Sequence, residues 1–211
     1  MNMRRNDMKR LIGFSIIGVG LALVSLSLYE LYETKTSTEK ALAIAKTVIA
    51  SQPEVQKDSE GQPIAQDYQP IAQDYQQDDV IGILTIPKLD ETYPIIEGTE
   101  EEMLAKGVGH YPTTALPGEK EQILLSGHRG TVFQRLGELI AGDRFIIDMG
   151  YGKFEYEMRE SQIVAADDTT VIKPRGEEVL TLSTCYPFSY IGSAPDRYII
   201  YAYPVTANAT E

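Results

Sequence analysis

The longest apolar stretch of the chain, residues 11–28, limits its possible folds more than any other feature. It reads LIGFSIIGVGLALVSLSL and contains no charged side chain in 18 residues. As an α-helix it would extend about 27 Å, close to the thickness of the hydrocarbon core of a bilayer. It also lacks the polar face that a helix on the surface of a soluble domain has. The sequence therefore predicts a transmembrane helix followed by a separate folded domain.

The residues on either side of this stretch predict its orientation. Residues 1–10 carry four basic side chains and one acidic side chain, and Tyr29 and Tyr32 follow the apolar run. A basic flank stays on the cytoplasmic side, and tyrosines are enriched at the membrane interface. We therefore expect a cytoplasmic tail at residues 1–10, a single-pass signal-anchor at residues 11–32 and an extracellular remainder. A cleaved signal peptide is the alternative, although the apolar run is longer than the core of a usual signal peptide.

Residues 33–78 are predicted to form an extracellular stalk or linker. A short amphipathic helix is expected to start at Thr36, in a capping box with Glu39. The sequence leaves open whether this helix is a stalk or a flap that packs on the domain. The heptapeptide QPIAQDY then occurs twice in tandem, at residues 62–75. Two polar copies are too few for a solenoid, so we interpret them as a flexible spacer.

Residues 79–205 have the pattern of a β domain, and residues 206–211 are left as a tail. Short apolar or alternating runs, separated by glycine and proline, indicate a mainly β domain that is closed or nearly closed. Two helical turns are expected, one in TEEEMLAKG with Thr99 as its N-cap and one in VFQRLGEL. The predicted strands are VIGILTI, TYPII, QILLSGH, DRFIIDM, KFEYEM, SQIVAA, EVLTLSTC and RYIIYAY.

Charge and composition exclude several classes of function. The net charge is −12, which argues against a nucleic-acid partner because binding to phosphates needs a basic surface. Cys185 is the only cysteine, so no intramolecular disulfide is possible, and His110 and His128 are the only histidines. One thiol and two separated imidazoles make a poor zinc site. We therefore expect neither a metal nor a cofactor.

The position of Cys185 in its predicted strand suggests either a groove residue or a small core residue. In VLTLSTC, alternation places Leu180 and Leu182 on one face and Cys185 on the other, more polar face. If the leucines face the core, Cys185 lies on the outer face at the end of a strand. A free thiol outside the cell is exposed to oxidation, which makes a purely structural role less favourable.

Two further residues are candidates for the same site. His128 ends an apolar strand and precedes a polar loop, and Arg197 begins the strand after Cys185. Each also has a simpler interpretation, because His128 fits a hydrogen-bonded surface residue and Arg197 fits a surface ion pair with Asp196. His110, in a turn rich in glycine and proline, is not distinguished from His128 by the residues alone.

A cysteine, a histidine and an arginine together satisfy the needs of acyl transfer. An imidazole takes up the thiol proton and later protonates the leaving amine. A guanidinium, which stays charged, supplies a fixed donor to the oxyanion. The three residue types therefore fit attack on an amide carbonyl.

These residues lie in motifs that resemble the sortase family of cysteine transpeptidases. TLSTC at residues 181–185, DRYII at residues 196–200 and LSGHRGT at residues 125–131 match the family in order and spacing. TCYPFSYIGSAPDRYI is most similar to the class D sortases of Gram-positive bacteria. The resemblance implies a closed eight-stranded β-barrel with a groove and an N-terminal transmembrane helix. It also implies three catalytic residues: Cys185 as nucleophile, His128 as acid and base, and Arg197 as the residue that orients substrate and stabilises the oxyanion.

The activity implied by the resemblance is transpeptidation at the cell surface. The enzyme would cleave an LPxTG-like or LPxTA-like sorting signal of a secreted protein after threonine, and would join that protein to an amine of a cell-wall precursor. A pilin-polymerising sortase with a lysine acceptor is an alternative, but such enzymes often carry a second C-terminal span and the chain ends in PVTANATE. A non-catalytic envelope binding module is the other alternative.

Overall fold

The computed structural model describes residues 5–51, 75–189 and 192–205. The chain divides into two compact units, residues 1–37 and residues 38–211. The predicted spacer repeat lies outside the described residues except for Tyr75, and so does the predicted tail at residues 206–211.

The first unit contains the predicted apolar helix. Helix α1, Arg5–Ser51, begins in this unit, and from Ile12 onward it is long and apolar enough to cross a membrane. The large apolar side chains from Ile12 to Leu28 are all more than half exposed. Such exposure all round the helix suits contact with lipid and does not suit a water-facing surface.

The predicted helix start at Thr36 is wrong, because Thr36 lies inside α1. Its hydroxyl donates a hydrogen bond of 2.8 Å to the carbonyl oxygen of Tyr32, one turn earlier. Residues 21–52 contain neither glycine nor proline, so no residue in this part of the sequence breaks the helix. The threonine and glutamate that look like a capping box are therefore ordinary positions within a longer helix.

The part of α1 in the second unit packs on the β domain through small side chains. Ala41 is 4% exposed and Ala45 is fully buried, and Ala41 lies in an apolar cluster with Ile96 and Met103. Ile44, on the other side of the helix, is 52% exposed. The sequence did not distinguish a stalk from a flap that packs on the domain. In the structure this segment packs on the domain.

Eight strands form a closed barrel in the second unit. Their bounds are β1 Val80–Ile86, β2 Glu91–Glu97, β3 Val108–His110, β4 Gln122–Ser126, β5 Arg144–Asp148, β6 Lys153–Ala165, β7 Val179–Tyr186 and β8 Asp196–Pro204. They pair in the order β1-β2-β3-β4-β7-β8-β6-β5, and β5 closes the barrel by pairing with β1. The pairs β2–β3 and β4–β7 are parallel. The predicted eight-stranded barrel is confirmed.

The number of strands is as predicted, but two strand assignments were wrong. KFEYEM and SQIVAA form the single strand β6, which continues through a register shift between Met158 and Glu160 while it pairs with β8. The polar residues between the two runs lie on that irregularity and do not form a turn. Strand β3 lies in the stretch interpreted as a turn, because its three residues are too few to show a pattern and its extended form comes from pairing with β2 and β4.

The short helices are smaller than predicted. Helix α2 is Glu101–Leu104, and its N-cap is Glu100, without a side-chain cap, where Thr99 was predicted. VFQRLGEL contains one 3-10 turn, Leu136–Glu138. Leu136 and Leu139 of this segment are nonetheless buried in the core, so the helical spacing of its apolar residues was meaningful.

The barrel interior confirms the alternation predicted for β7. Leu180 and Leu182 are fully buried, and they share one core with Ile123 and Leu125 of the neighbouring strand β4. Cys185 is partly exposed and belongs to the opposite face. The core leucines therefore fix which side of the sheet the thiol occupies.

His110 is part of a buried polar pair inside the domain. Its Nδ1 lies 2.7 Å from the Glu97 carboxylate, and its Nε2 lies 3.1 Å from the carbonyl oxygen of Ala115. The side chains of His110 and Glu97 are 3% and 9% exposed. Because both side chains are shielded from water, the Glu97 carboxylate depends on the imidazole of His110 for its hydrogen bond.

Removal of one member of this pair is expected to destabilise the domain. In His110→Ala the Glu97 carboxylate loses its partner while buried, so we expect a loss of about 3–5 kcal/mol in the free energy of unfolding. Chemical denaturation followed by circular dichroism measures it. Glu138→Gln is the control: it removes the exposed pair with Arg135 and is expected to change stability far less. Equal losses in the two variants would contradict the interpretation.

Candidate active site

Strand register brings the three predicted site residues to one edge of the barrel. Strands β4 and β7 are parallel and pair Ser126 with Ser183. Two residues beyond this pair, the chain reaches His128 on one side and Cys185 on the other, so their side chains project from the same face. Strand β8 is antiparallel to β7 and pairs Arg197 with Cys185. The sequence separations of 57 and 12 residues thus become neighbouring positions on three adjacent strand ends.

The residue before His128 is held against β7. The N–H of Gly127 donates to the carbonyl oxygen of Ser183 at 3.1 Å, and the hydroxyl of Thr184 donates to the carbonyl oxygen of Gly127 at 2.7 Å. A Cβ atom at position 127 would lie 2.6 Å from the ring of Phe133, which explains why glycine occupies it. These contacts fix the backbone from which His128 projects.

His128, Cys185 and Arg197 line one cavity of about 340 Å³. Its floor is the outer face of β4, β7 and β8, which includes Leu124 and Ile199. One wall comes from the segment between β6 and β7, and another from the residues around α2. The cavity therefore joins an apolar floor to a polar end that contains a thiol, an imidazole and a guanidinium.

An exposed carboxylate lies close to the imidazole. The Nε2 atom of His128 is 3.4 Å from Oε1 of Glu101, the first residue of α2, and the two side chains are 32% and 86% exposed. Solvent screens a pair this exposed, so its electrostatic contribution is small. The contact still gives one ring nitrogen a defined neighbour.

Arg197 does not form the ion pair with Asp196 that its sequence context suggested. Its Nη1 donates to the backbone carbonyl oxygen of Asp196 at 3.1 Å. In the described parts of the barrel no carboxylate lies within ion-pair distance of this guanidinium. The remaining donors of Arg197 are therefore available to a ligand oxygen in the cavity.

Arg129 is a residue of this region that the sequence analysis did not single out. Its Nη1 donates to the carbonyl oxygen of Pro187 at 3.2 Å, and its Nη2 donates to that of Gly192 at 2.7 Å. One guanidinium thus links the loop after His128 to both sides of the loop after Cys185. The sequence signal was available, since an arginine directly follows the candidate histidine.

Aromatic packing supports the start of the loop after Cys185. The ring of Phe188 lies 5.8 Å from that of Tyr186 and 5.4 Å from that of Tyr198, centroid to centroid. Tyr186 follows Cys185 and Tyr198 follows Arg197, so this cluster joins the two strands beside the cavity. Such ring pairs stabilise more than their buried area alone.

His110 is not near these groups. It lies in β3, is 2% exposed and is bonded to Glu97, and it does not line the cavity. The structure thus separates the two histidines that the sequence alone left equivalent: one is buried within the fold and the other faces a cavity that holds a thiol.

Known proteins that are similar to this chain include several sortases. The family described as "Sortase domain" matches residues 84–205. The chain is 43% identical over 200 residues to Sortase D of Bacillus subtilis (strain 168), which covers 94% of this chain and 100% of that protein. It is 32% identical over 124 residues to Sortase SrtE1 of Streptomyces coelicolor, which covers 50% of this chain and 35% of that protein.

Solved structures agree with the sequence comparison. A Sortase D5 transpeptidase of Clostridium perfringens superimposes with a TM-score of 0.63 at 25% identity, over 81% of this chain and 99% of that one. The catalytic domain of B. anthracis SrtD gives a TM-score of 0.55 at 39% identity, over 66% and 97%. The chain therefore belongs to the sortase family of transpeptidases, class D.

Proposed function

We propose that this protein is a membrane-anchored transpeptidase that cleaves an LPxTG-like or LPxTA-like sorting signal after threonine and transfers the acyl part to a cell-wall amine. The observation that carries the proposal is the convergence of Cys185, His128 and Arg197 on one cavity at the ends of three adjacent strands. Cysteine, histidine and arginine are the residue types that this chemistry needs, and the site faces solvent at the rim of the barrel.

The first half of the reaction forms a thioester. The proton of the Cys185 thiol passes to the imidazole of His128, and the sulfur then attacks the threonine carbonyl carbon and gives a tetrahedral oxyanion. The bond between that carbon and the next residue's nitrogen then breaks, and His128 in its protonated form gives the amine its proton. The products of this half are a thioacyl enzyme and a free C-terminal fragment.

The second half transfers the acyl group to a new amine. The amine attacks the thioester carbon, His128 accepts the proton that the amine loses, and the sulfur of Cys185 leaves as a thiolate. The net change is exchange of one amide bond for another, so no cofactor or metal enters the balance. The acceptor comes from a cell-wall precursor peptide.

Arg197 is assigned to the carbonyl oxygen at both steps. Its backbone pairs with that of Cys185, and one of its nitrogens is held by the Asp196 carbonyl oxygen. From its place in the cavity lining, the guanidinium is assigned to donate to the developing oxyanion, and removal of one such donor costs about 10²–10³ in kcat in comparable sites.

The membrane arrangement belongs to the same proposal. Residues 1–10 form a cytoplasmic tail, residues 11–32 a single-pass anchor and residues 79–205 the extracellular catalytic domain. Residues 33–78 form the extracellular linker between them, and the helix around Ala41 in this linker packs on the domain. The apolar helix with its exposed side chains supports this arrangement, together with the basic residues before it. The substrates are then secreted proteins, which meet the enzyme on the outer face of the membrane.

A peptide panel tests the activity directly. The full-length chain in detergent is offered LPxTG and LPxTA peptides, with diaminopimelate, triglycine or lysine as acceptors, and the products and any acyl adduct on Cys185 are measured by mass spectrometry. We expect cleavage after threonine and an adduct on the wild type. Cys185→Ala and His128→Ala are expected to abolish turnover. Preference for a lysine acceptor would indicate the pilin-polymerising alternative.

The choice of imidazole has its own control. His110→Ala, assayed below its melting temperature and corrected for its folded fraction, is expected to retain much of the wild-type turnover, because His110 does not face the cavity. A comparable loss in this variant and in His128→Ala would show that the wrong histidine was assigned.

Arg197 variants separate charge from geometry. Arg197→Ala is expected to lower kcat by about 10²–10³, and Arg197→Lys to recover part of the loss, because an ammonium keeps the charge but not the planar pair of donors. Single-turnover formation of the thioacyl enzyme is the measurement. Unchanged acylation in Arg197→Ala would be incompatible with the assigned role.

The membrane topology is tested in cells. Intact protoplasts that express the full chain are treated with protease, and the fragments are probed with antibodies to each end. We expect loss of the catalytic domain and protection of the N-terminal tail. A protected catalytic domain would contradict the extracellular assignment.

A further inference from the structure

One wall of the cavity is formed by a segment without regular strand structure. Residues 166–178 connect β6 to β7, and Asp168, Thr169, Val171 and Ile172 of this segment line the cavity. A single 3-10 turn, Thr169–Val171, lies within it and is capped by Asp168. Hydrogen bonds from the hydroxyl and the N–H of Thr170 hold the pKa of the Asp168 carboxyl below its ordinary value. The wall therefore has local order, but its height above the floor must be set by contacts to the barrel.

The first residue of β4 supplies such contacts. Gln122 is 3% exposed, and its Nε2 donates to the carbonyl oxygen of Val171 and to the hydroxyl of Thr181, each at 2.9 Å. Its Oε1 accepts from the N–H of Lys173 at 3.0 Å. Both N–H groups and the oxygen of this amide are thus used, two of the three bonds going to the wall and one to the floor.

The preceding residue holds the next part of the wall. The Glu121 carboxylate accepts hydrogen bonds from the backbone N–H groups of Arg175 and Gly176. These bonds, together with one from the N–H of Gln122, lower the pKa of Glu121. The guanidinium of Arg175 also lies 4.6 Å from the ring centroid of Tyr201. Two consecutive side chains of the barrel therefore hold the backbone of the wall over residues 171–176.

We propose that Gln122 is a positioning residue that sets the wall of the substrate groove and thereby controls peptide binding, with Glu121 as its auxiliary. This inference rests on the proposed function. Thr181, which anchors the amide, lies four residues before Cys185 on β7, a distance of about 13 Å along the strand. Gln122 thus acts at the end of the groove away from the thiol, where it affects how tightly an extended peptide is held and leaves the reacting groups in place.

The size of the effect follows from the burial of the amide. In Gln122→Met the side chain keeps its length and shape but makes none of the three hydrogen bonds. The carbonyl oxygen of Val171 and the N–H of Lys173 are then left without these partners, which destabilises the wall in its present position. When the wall moves outward, water satisfies these two groups. The groove is then wider and no longer contacts the peptide on both sides.

The test compares variants of the full-length chain in detergent with the peptide that the wild type cleaves. Gln122→Met is expected to raise KM by about 5- to 30-fold and to leave kcat within about twofold, which is the signature of lost binding. Alkylation of Cys185 by iodoacetamide is expected to keep its wild-type rate, because this small reagent does not need the wall. Hydrogen exchange at the amide of Lys173 is expected to become faster.

Gln134→Met is the matched control, because Gln134 is an exposed glutamine outside the cavity. It is expected to match the wild type in all three measurements.

A second variant covers the case in which Gln122→Met does not fold. Glu121→Ala alters a partly exposed side chain, keeps the buried amide and releases the wall at Arg175 and Gly176. It is expected to change KM and amide exchange in the same direction. Faster exchange with an unchanged KM, or a fall in kcat with an unchanged KM, would overturn the inference in either variant.

Failure of the proposed function gives a different result. In that case the wild type forms no acyl adduct on Cys185, and the inference is then judged by binding. Fluorescence anisotropy of a labelled LPxTG peptide on Cys185→Ala, with and without Gln122→Met, gives the dissociation constant directly. We expect weaker binding in the double variant, and equal dissociation constants, or no binding by either protein, would overturn the role of Gln122.

Discussion

The parallel pairing of β4 with β7 is the interaction on which the site depends. The two strands share five register pairs, from Gln122 with Val179 to Ser126 with Ser183. Because they run in the same direction, the carboxyl ends of both reach the same rim of the barrel, where His128 and Cys185 each lie two residues beyond the last register pair. An antiparallel pairing would have placed the imidazole and the thiol at opposite ends of the strands. The chain between β4 and β7, including β5 and β6, forms the long connection that parallel strands need.

Much of the barrel was predictable because its strands alternate between a buried and an outer face. Leu180 and Leu182 fill the core, and this alone assigned Cys185 to the outer face. The pattern failed where pairing, and not side-chain periodicity, determines the conformation. Strand β3 has three residues and is extended because β2 and β4 bind it on either side. Strand β6 continues through polar residues because β8 pairs with both of its halves.

The candidate site was predictable in its residue types but not in its construction. Strand-end positions indicated Cys185, His128 and Arg197, and the family motifs gave them roles. No local pattern, however, indicates that Gly127 is fixed by Ser183 and Thr184 across 56 and 57 residues, or which of two histidines becomes buried. Such choices depend on register between distant strands, which is set by how the whole core packs.

In the function proposed above, one strand serves both peptide binding and chemistry. Strand β4 directs Ile123 and Leu125 into the core, ends next to His128, and at its start holds the wall through Gln122. Glu121 and Gln122 form hydrogen bonds with four residues of the wall, and in each case the bonded wall atom belongs to the backbone. Three of these four residues do not line the cavity. Side chains of the segment 166–178 are therefore free to differ without loss of these bonds. A rigid strand that holds a loop by its backbone leaves the loop surface available for substrate selection, while the position of the imidazole stays unchanged.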